Sequence, residues 1–467
     1  LASVQYRDVW GMPGDQSTWG RAERKRAALV WSAKLPAAEL ATLYEQLRPQ
    51  EATRFTLKPG GTESAYLTWP SMPDIFPTYY PGVKTSRDAD LVSIDREPLE
   101  ARMRQYFDPN MTDEQVAQAA PMLMTDASRY EAKATRRELL RTSGFREDRL
   151  IRVAYRPFDD RWMYWEGTTK LLDEKRADFF KDVEFFDEVE LGPDIKAPSD
   201  RVFLIANASS RRDGAHSYVA DKFVSLDLMD RNALCFPLMT HLSLMGQATA
   251  VANLSVPLLS LAQREWHYAS DHELARDMFW HTLATLRSPQ YYEENKTYLM
   301  QDWPRIPLPA TRAHLEASAA LGRRVGDLLR PDVRFTAGEG VRALGQPRRV
   351  DGGQFGPEDF TVTVRYGGVG RYEPPSGDSP ARLWWNDRAY WDDVPPAVWA
   401  FTLGGYPVVK KWLDYRHSEK LRRPLRVEEV RYVREMVQRI ATLLALGPTL
   451  DESYAATKAA TLELPGA

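Results

Sequence analysis

The chain has 467 residues, of which 43% are hydrophobic and 27% are charged, and its formal net charge at pH 7 is −3. This composition is typical of a folded protein with a sizeable core, and it excludes an intrinsically disordered chain. Because the net charge is close to zero, any face that binds nucleic acid has to be local. The single cysteine, Cys235, excludes an intramolecular disulfide and a cysteine-rich zinc site.

The first 75 residues contain a predicted strand at 5–11 and a predicted helix at 21–29 with the basic run RAERKRAAL. A charge run of this kind is more often a solvated helix face than a binding patch. The sequence has no signal-peptide core and no apolar run long enough to span a bilayer. We therefore expect a cytoplasmic protein.

A loop rich in hydrogen-bond donors follows, within YPGVKTSRDADLVSID at residues 80–95. Pro81 and Gly82 predict a turn, and residues 91–94 predict the start of a buried strand. The donors between them are Lys84, Thr85, Ser86 and Arg87. Such a loop can hold a phosphate or contact the edge of a base.

The next elements are two predicted helices, at 98–107 and 112–124, the second opened by a capping-box spacing of Thr112 and Gln115. Residues 136–149 contain five arginines. Two interpretations are open for them: a track for phosphates, or a salt-bridged helix with Glu138, Glu147 and Asp148.

The stretch YRPFDDRWMYW, at residues 155–165, combines five aromatic residues with two arginines. A turn at Pro157 is predicted to lead into a short strand, with Arg161, Met163 and Trp165 on one face and Trp162 and Tyr164 on the other. Guanidinium groups beside flat rings suit a surface that meets phosphates and stacks on bases. The alternative is a core strand in which Arg156 and Arg161 pair with Asp159 and Asp160.

Further along the chain, residues 171–186 predict a helix, and residues 201–206, 220–228 and 233–238 predict strands. The loop NASSRRDG presents Arg211 and Arg212, which could enter a DNA groove or belong to an ordinary polar turn. Ser270 with Glu273 predicts another helix start, and 312–329 predicts a helix. The histidines lack metal-ligand spacing, so we assign no metal.

In the last third, residues 336–358 have little apolar periodicity and mark a flexible insertion or boundary. Residues 360–366 alternate as a half-exposed strand, with 382–386 and 390–391 as its expected partners. The valines and leucines from 427 to 444 predict a long amphipathic helix. The tail from residue 452 is expected to be loose.

The donor loop and the aromatic stretch, taken together, resemble the C-terminal specificity region of type ISP restriction-modification enzymes. Further stretches agree in order and spacing: AYLTWPSMPDIFP from Ala65, LRSPQYY from Leu286, DWPRIPLP from Asp302 and VPPAVWAFTLGGYPVVKKWL from Val394. The resemblance implies a mixed α/β (α+β) fold, with a mixed sheet, flanking helices and a C-terminal helical part. It implies a connector at 1–75, a target-recognition domain at 76–335, and a C-terminal β-hairpin and helical part at 336–467.

The function that this resemblance implies is sequence-specific recognition of double-stranded DNA in phage defence, on behalf of an adjoining adenine-N6 methyltransferase domain. The chain itself has no Asp/Asn-Pro-Pro-Tyr-type tetrapeptide, no S-adenosylmethionine turn and no ATP loop. We therefore expect no cofactor and no catalytic residue here. S-adenosylmethionine, and possible ATP and Mg²⁺, belong to N-terminal domains, and a translocase and nuclease remain open.

The residues that we expect on or near DNA come from all three basic stretches: Lys84, Thr85, Arg87, Tyr155, Arg156, Arg161, Trp162, Arg211 and Arg212. Two other classes of function stay open. A carbohydrate-binding or hydrolytic module could use the 14 tryptophans and 21 tyrosines as sugar platforms. A scaffold could bind partner proteins through the C-terminal helix.

Overall fold

The structure, a computed structural model, describes residues 4–7, 21–47, 65–188, 201–210, 212, 214, 216–229, 231–244, 247–365 and 371–465. Helices and several sheets alternate along these ranges, which confirms the predicted mixed α/β class. Among the described residues, no helix combines the length and apolar character needed to cross a bilayer.

The first half of the chain holds eight helices among its described residues. They are α1 Arg21–Ser32, α2 Ala37–Thr42, α3 Met72–Ile75, α4 Asp88–Leu91, α5 Arg96–Tyr106, α6 Asp113–Ala119, α7 Ala132–Thr142 and α8 Ala177–Glu188. The strands of this half are β1 Val4–Tyr6, β2 Glu45–Leu47, β3 Tyr80–Pro81, β4 Val92–Ser93, β5 Leu150–Arg156, β6 Asp159–Tyr164, β7 Phe203–Ala206, β8 Ser217–Ala220, β9 Phe223–Val224, β10 Leu234–Pro237, β11 Met239–Leu244 and β12 Gln247–Ala252.

The second half is more helical. Its helices are α9 Val256–Leu261, α10 Asp271–Arg287, α11 Pro289–Leu299, α12 Arg312–Leu329, α13 Pro396–Ala400, α14 Val408–Tyr415, α15 Ser418–Leu421, α16 Val427–Ala445 and α17 Gly447–Ala459. Its strands are β13 Leu308–Pro309, β14 Arg348–Arg349, β15 Tyr372–Glu373, β16 Arg382–Trp384, β17 Ala389–Asp392, β18 Thr402–Leu403, β19 Tyr406–Pro407 and β20 Thr461–Leu462.

The aromatic stretch lies in a four-stranded sheet of order β4-β6-β5-β9, in which only β5 and β9 run parallel. Across the hairpin, Val153 faces Arg161 and Ile151 faces Met163. Since side chains alternate along a strand, Arg161 and Met163 share one face and Trp162 and Tyr164 the other, as predicted. We call the first face the pocket face. A second sheet, of order β3-β10-β7-β8, is antiparallel throughout.

Helices α10 and α12 form the tightest helix pair of the core. A Cβ atom on Gly322 of α12 would lie 1.8 Å from the carbonyl oxygen of Trp280 in α10, so only glycine permits this approach. His281 is fully buried at the same interface, where Nδ1 contacts the Ser318 hydroxyl at 2.8 Å and Nε2 contacts the Pro307 carbonyl at 2.9 Å. Burial lowers the pKa of His281 to about 4, so the ring is neutral at pH 7.

The predicted helix starts at Thr112 and Ser270 are confirmed, because each side chain accepts a hydrogen bond from the amide three residues later. Other predictions were wrong, in whole or in part. The helix expected from 171 begins at Ala177. The buried strand expected from residue 91 is present from Val92, although it is only two residues long and follows the last residue of α4. The tail expected to be loose forms most of α17, and β20 then pairs with β13.

The alternating segment 360–366 also differs from its prediction within the residues that the structure describes. Val362 makes only an isolated bridge to His417, while β16 and β17 pair with each other. The segment still contacts one expected partner, because the amide of Thr363 donates to the Trp385 carbonyl at 2.8 Å. On its other side, the amide of Ser418 donates to the Val362 carbonyl at 2.9 Å. An alternating pattern indicates that one face of a segment is buried, but it does not identify the strand with which the segment pairs.

Contacts cross the predicted boundary between residues 335 and 336. Arg439 of α16 is 1% exposed and donates to the carbonyls of Asp327, Leu328 and Arg330 at the end of α12. These carbonyls lack partners within their own helix, so the guanidinium closes its C-terminal end. The three-part division remains a prediction, and the second and third parts share buried polar contacts.

Candidate nucleic-acid interface

The donor loop is held in place by its backbone. The amides of Gly82, Val83 and Lys84 donate to the carbonyls of Ala233, Val224 and Glu174 at 2.9, 2.8 and 3.1 Å. A Cβ atom at Gly82 would lie 2.6 Å from the backbone nitrogen of Leu226, so glycine is required for the loop to lie this close to its neighbour. The loop is therefore a rigid platform for the side chains that follow.

The four donors of the loop alternate between exposed and buried positions. Lys84 and Ser86 are exposed, and Ser86 adopts a left-handed conformation with φ of 55°. Thr85 is buried, and its hydroxyl donates to the Asp88 carboxylate. Of this run, Lys84 and Ser86 are the two that reach solvent.

Arg87, the fourth donor, lies inside the protein with 4% of its surface exposed. Its guanidinium donates to the carbonyls of Leu171 and Lys170 at 2.8 and 3.0 Å, pairs with Asp173 at 3.1 Å and lies 3.8 Å from the centre of the Tyr130 ring. The Nε and Nη2 donors of the planar fork thus have protein partners. Arg87 supports the exposed residues around it instead of facing a ligand as expected.

A pocket of about 350 Å³ lies between the donor loop and the pocket face of the sheet. Its floor is apolar, with Val153 and Met163 from the sheet. Its polar lining consists of Lys84, Thr85, Ser86, Asp88, Tyr155, Ser225 and Asp227. The Tyr155 hydroxyl donates to Asp88 at 2.8 Å, and burial raises the pKa of Tyr155 above its usual range. An apolar floor with hydroxyl and carboxylate groups above it suits the edge of a base.

A second pocket, of about 470 Å³, lies on the other side of Lys84 and Ser86 and is bordered by residues 121–130 and by Lys170. Lys84, Arg129 and Lys170 are exposed around it, and none of the three pairs with a carboxylate in the described part of the chain. Of the three carboxylates in its wall, Asp173 and Glu174 pair with Arg87 and Arg176, and Asp126 accepts a hydrogen bond from the Ala132 amide at 2.7 Å. We call Lys84, Ser86, Arg129 and Lys170 the donor-loop surface.

The aromatic hairpin places Arg161 in the core, as the alternative interpretation of this stretch holds. Arg161 pairs with Asp159 at 2.6 Å, and its guanidinium carbon lies 4.1 Å and 4.2 Å from the ring centres of Tyr155 and Tyr415. Burial opposes ionisation of Asp159, yet Arg161 and Arg416 together hold the pKa of this carboxyl below its usual value.

Asp160, the next residue, points to the opposite face of the sheet and pairs with Lys222 at 2.8 Å. Burial outweighs this ion pair and raises the pKa of Asp160. Because the two carboxylates face opposite sides and each has its own cation, they do not form a cooperating acid–base pair. The geometry gives the hydrolytic alternative no support.

The remaining predicted site residues are dispersed. Arg156 is half-buried, stacks on Tyr155 at 4.2 Å and donates to the Tyr155 carbonyl at 2.7 Å. Trp162 is half-buried on the face opposite the pocket. The guanidinium carbons of Arg96 and Arg152 lie 5.6 and 5.4 Å from the centre of its ring. Arg212 is exposed, and Arg211 lies outside the described residues.

A chain of ion pairs ties this sheet to the C-terminal part. Arg416 joins Asp159 at 3.0 Å to Glu429 at 3.2 Å, and Arg423 joins Glu429 at 2.6 Å to Asp95 at 2.8 Å. Burial opposes ionisation of Asp95 and Glu429, but the arginines lower the pKa of both carboxyls. Segments more than 300 residues apart are thereby fixed around the hairpin.

Arg129 and Lys170 could not be selected from the sequence, because neither lies in a motif or a regular pattern. They join Lys84 only through the fold, since Arg87 binds the backbone at Lys170 and stacks on Tyr130. Among the described residues there is also no group of three His, Cys, Asp or Glu side chains that could hold a metal ion.

Residues 74–436 match the family model described as the Type ISP C-terminal specificity domain, and the chain belongs to this family. No curated protein matches the chain. Its fold is similar to that of the ATP-dependent Type ISP restriction-modification enzyme LlaBIII, solved bound to DNA, with a TM-score of 0.62 and 12% identity over 97% of this chain and 27% of that one.

Two further solved structures share the fold. A nuclease-deletion mutant of the Type ISP enzyme LlaGI, in complex with a DNA substrate mimic, matches with a TM-score of 0.57 and 14% identity over 92% of this chain and 38% of that chain. The DrdV–DNA complex matches with a TM-score of 0.59 and 18% identity over 94% of this chain and 42% of that chain. The chain thus spans less than half the length of each of these proteins.

Proposed function

We propose that this chain recognises a specific double-stranded DNA sequence on behalf of a restriction-modification enzyme. Membership of the specificity-domain family and the DNA complexes of the structural relatives support this function. The observation that carries it is the donor-loop surface. There Lys84, Arg129 and Lys170 have no carboxylate partner among the described residues and lie beside a pocket with an apolar floor and a polar lining.

In this proposal the two kinds of group have different tasks. The three exposed cations contact phosphates and set the register of the duplex, which carries no sequence information by itself. Ser86, Asp227 and the hydroxyls of the first pocket contact base edges, with a carboxylate accepting from an exocyclic amine. Arg87 keeps the donor loop in position from inside the protein, whereas Arg161 stabilises the sheet beneath it.

The partner of this surface is an adenine-N6 methyltransferase domain, to which the bound DNA is presented for base flipping. S-adenosylmethionine serves that domain, and ATP with Mg²⁺ serves a translocase where one is present. The work takes place in the cytoplasm, where the enzyme meets incoming DNA.

The test is the salt dependence of binding to fluorescently labelled duplex DNA, measured by anisotropy. In a triple variant, Lys84→Ala, Arg129→Ala and Lys170→Ala, we expect the slope of log K against log salt to become shallower by about 2 to 3, since each phosphate contact contributes roughly 0.9. The variant should unfold like the wild type, because all three side chains are exposed.

A matched control removes two lysines and one arginine elsewhere: Lys296→Ala, Lys458→Ala and Arg264→Ala, which lie in or beside helices of the second half and pair with carboxylates there. This control has the same net charge as the triple variant and should keep the wild-type slope. Equal slopes in both variants would mean that the donor-loop surface does not contact DNA.

A further inference from the structure

A second basic surface lies between helix α16 and the connector that follows α12. Here residues 331–335 and 343–344 face α16 across an open groove of about 540 Å³. The basic residues of its lining are Arg334, Arg431, Arg434 and Arg439. We call this the arginine groove.

The groove carries uncompensated positive charge. Its two carboxylates are already paired, Asp332 with Lys222 at 2.8 Å and Glu435 with Arg439 at 2.6 Å. Arg439 is also committed to the carbonyls at the end of α12. Arg334, Arg431 and Arg434 remain, and within the described ranges none of them has a carboxylate partner.

These three guanidiniums are arranged on two sides of the groove. Arg431 and Arg434 are three residues apart on one face of α16, with Gln438 one turn further. Arg434 Nε donates to the Leu344 carbonyl at 2.9 Å, which fixes this guanidinium while leaving its other N–H groups to a ligand. Arg334 lies in the connector on the opposite side, next to the half-buried ring of Phe335.

The arginine groove is separate from the donor-loop surface. Asp332, at the edge of the groove, binds Lys222, which in turn binds Asp160. Asp160 lies on the sheet face opposite Arg161 and Met163, whereas Met163 lines the pocket under the donor loop. The four-stranded sheet therefore stands between the two surfaces.

We propose that the arginine groove binds a phosphate group. Forked guanidiniums from two sides match the geometry of phosphate oxygens, and a bound anion removes the mutual repulsion of three arginines. The phosphate can belong to the backbone of DNA that extends past the target or to a free phosphorylated small molecule. In the first case the inference deepens the proposed function, because DNA then contacts the protein on both sides of the sheet.

The experiment uses the full chain and a double variant, Arg334→Ala with Arg431→Ala, both exposed residues whose loss should leave the fold intact. Inorganic pyrophosphate is titrated by calorimetry in the absence of DNA, and duplex DNA is titrated by anisotropy over a range of salt. Arg264→Ala with Arg388→Ala, two exposed arginines outside the groove, is the charge-matched control.

A tenfold or greater loss of pyrophosphate affinity, with an unchanged DNA slope, identifies a free phosphate ligand. A DNA slope shallower by about 1 to 2 identifies a backbone contact. If the double variant matches its control in both titrations, the inference is wrong. A failure of the DNA-recognition proposal gives a different result: the donor-loop triple variant would keep the wild-type slope of log K against log salt.

Discussion

Arg161→Ala separates a structural role for the aromatic hairpin from direct contact with DNA. Arg161 donates to Asp159 at 2.6 and 3.0 Å and lies between the rings of Tyr155 and Tyr415. Its removal leaves the Asp159 carboxylate, 1% exposed, with only Arg416 as a cationic partner. We therefore expect a large loss of stability and little change in the DNA affinity of the molecules that remain folded.

The magnitude follows from the burial of the pair. Removing one partner of a buried ion pair costs about 3–5 kcal/mol, because the other charge stays desolvated. Loss of stacking on two tyrosines places the value toward the upper end of this range. With an m-value of roughly 3 kcal/mol/M, the midpoint of urea unfolding should fall by about 1.3 to 1.7 M.

The assay is urea unfolding at pH 7, followed by tryptophan fluorescence, with DNA anisotropy on the same samples. Arg161→Met combined with Asp159→Asn removes both charges and should recover part of the lost stability. Lys84→Ala is the reciprocal control. It should leave the midpoint of urea unfolding unchanged and make the slope of log K for DNA against log salt shallower. An Arg161→Ala protein that unfolds like the wild type but loses DNA affinity would refute this reasoning.

Three further predictions concern stability. Gly322→Ala forces a Cβ atom against the Trp280 carbonyl and should cost about 3 kcal/mol or more in thermal unfolding, whereas Gly345→Ala, with open space around it, should stay within about 0.5 kcal/mol of wild type. Between pH 6.5 and 4, His281 takes up a proton in the unfolded state but stays neutral in the folded state, so the free energy of unfolding decreases by up to about 3 kcal/mol as the pH is lowered. Urea titrations at pH 7 and 4.5 should show a smaller decrease in His281→Gln. Arg439→Met removes the guanidinium donor from the carbonyls of Asp327 and Leu328 at the end of α12 and should lower stability by about 2–4 kcal/mol in urea unfolding, and an effect under about 0.5 kcal/mol would contradict the capping role.

The sequence predicted the turn at Pro157 and the second strand of the aromatic hairpin, β6, but it did not predict the first strand, β5. Alternation assigned Arg161 and Trp162 to opposite faces, and the pairing of β5 with β6 confirms this assignment. Alternation alone does not tell which of the two faces is exposed to solvent. Arg161 is buried because it pairs with Asp159 and packs on Tyr415, and Tyr415 lies more than 250 residues away in the sequence.

The donor loop shows the same limit. Lys84, Thr85, Ser86 and Arg87 read as four equivalent donors, but the loop lies close against Leu226 and β9, so that successive side chains point alternately out and in. The arginine-rich segment 136–149 divides similarly. Arg136 is buried and donates to the Tyr106 carbonyl at 2.9 Å, while Arg146 pairs with Asp148 at the surface. Residue type predicts the capacity to bind an anion, and tertiary contacts decide whether that capacity is already used.

The ion pairs that run from Asp159 through Arg416, Glu429 and Arg423 to Asp95 limit where this protein can be cut for engineering. A fragment that stops at residue 335 would deprive Asp95 of Arg423 and Asp159 of Arg416. A transplant of the recognition surface into another enzyme should therefore extend from residue 74 at least to the end of α16 at Ala445, which contains the range that the family shares and keeps Arg439. Exchanges confined to Lys84, Ser86 and the exposed loop around Arg129 avoid this network and offer the safer route to altered sequence preference.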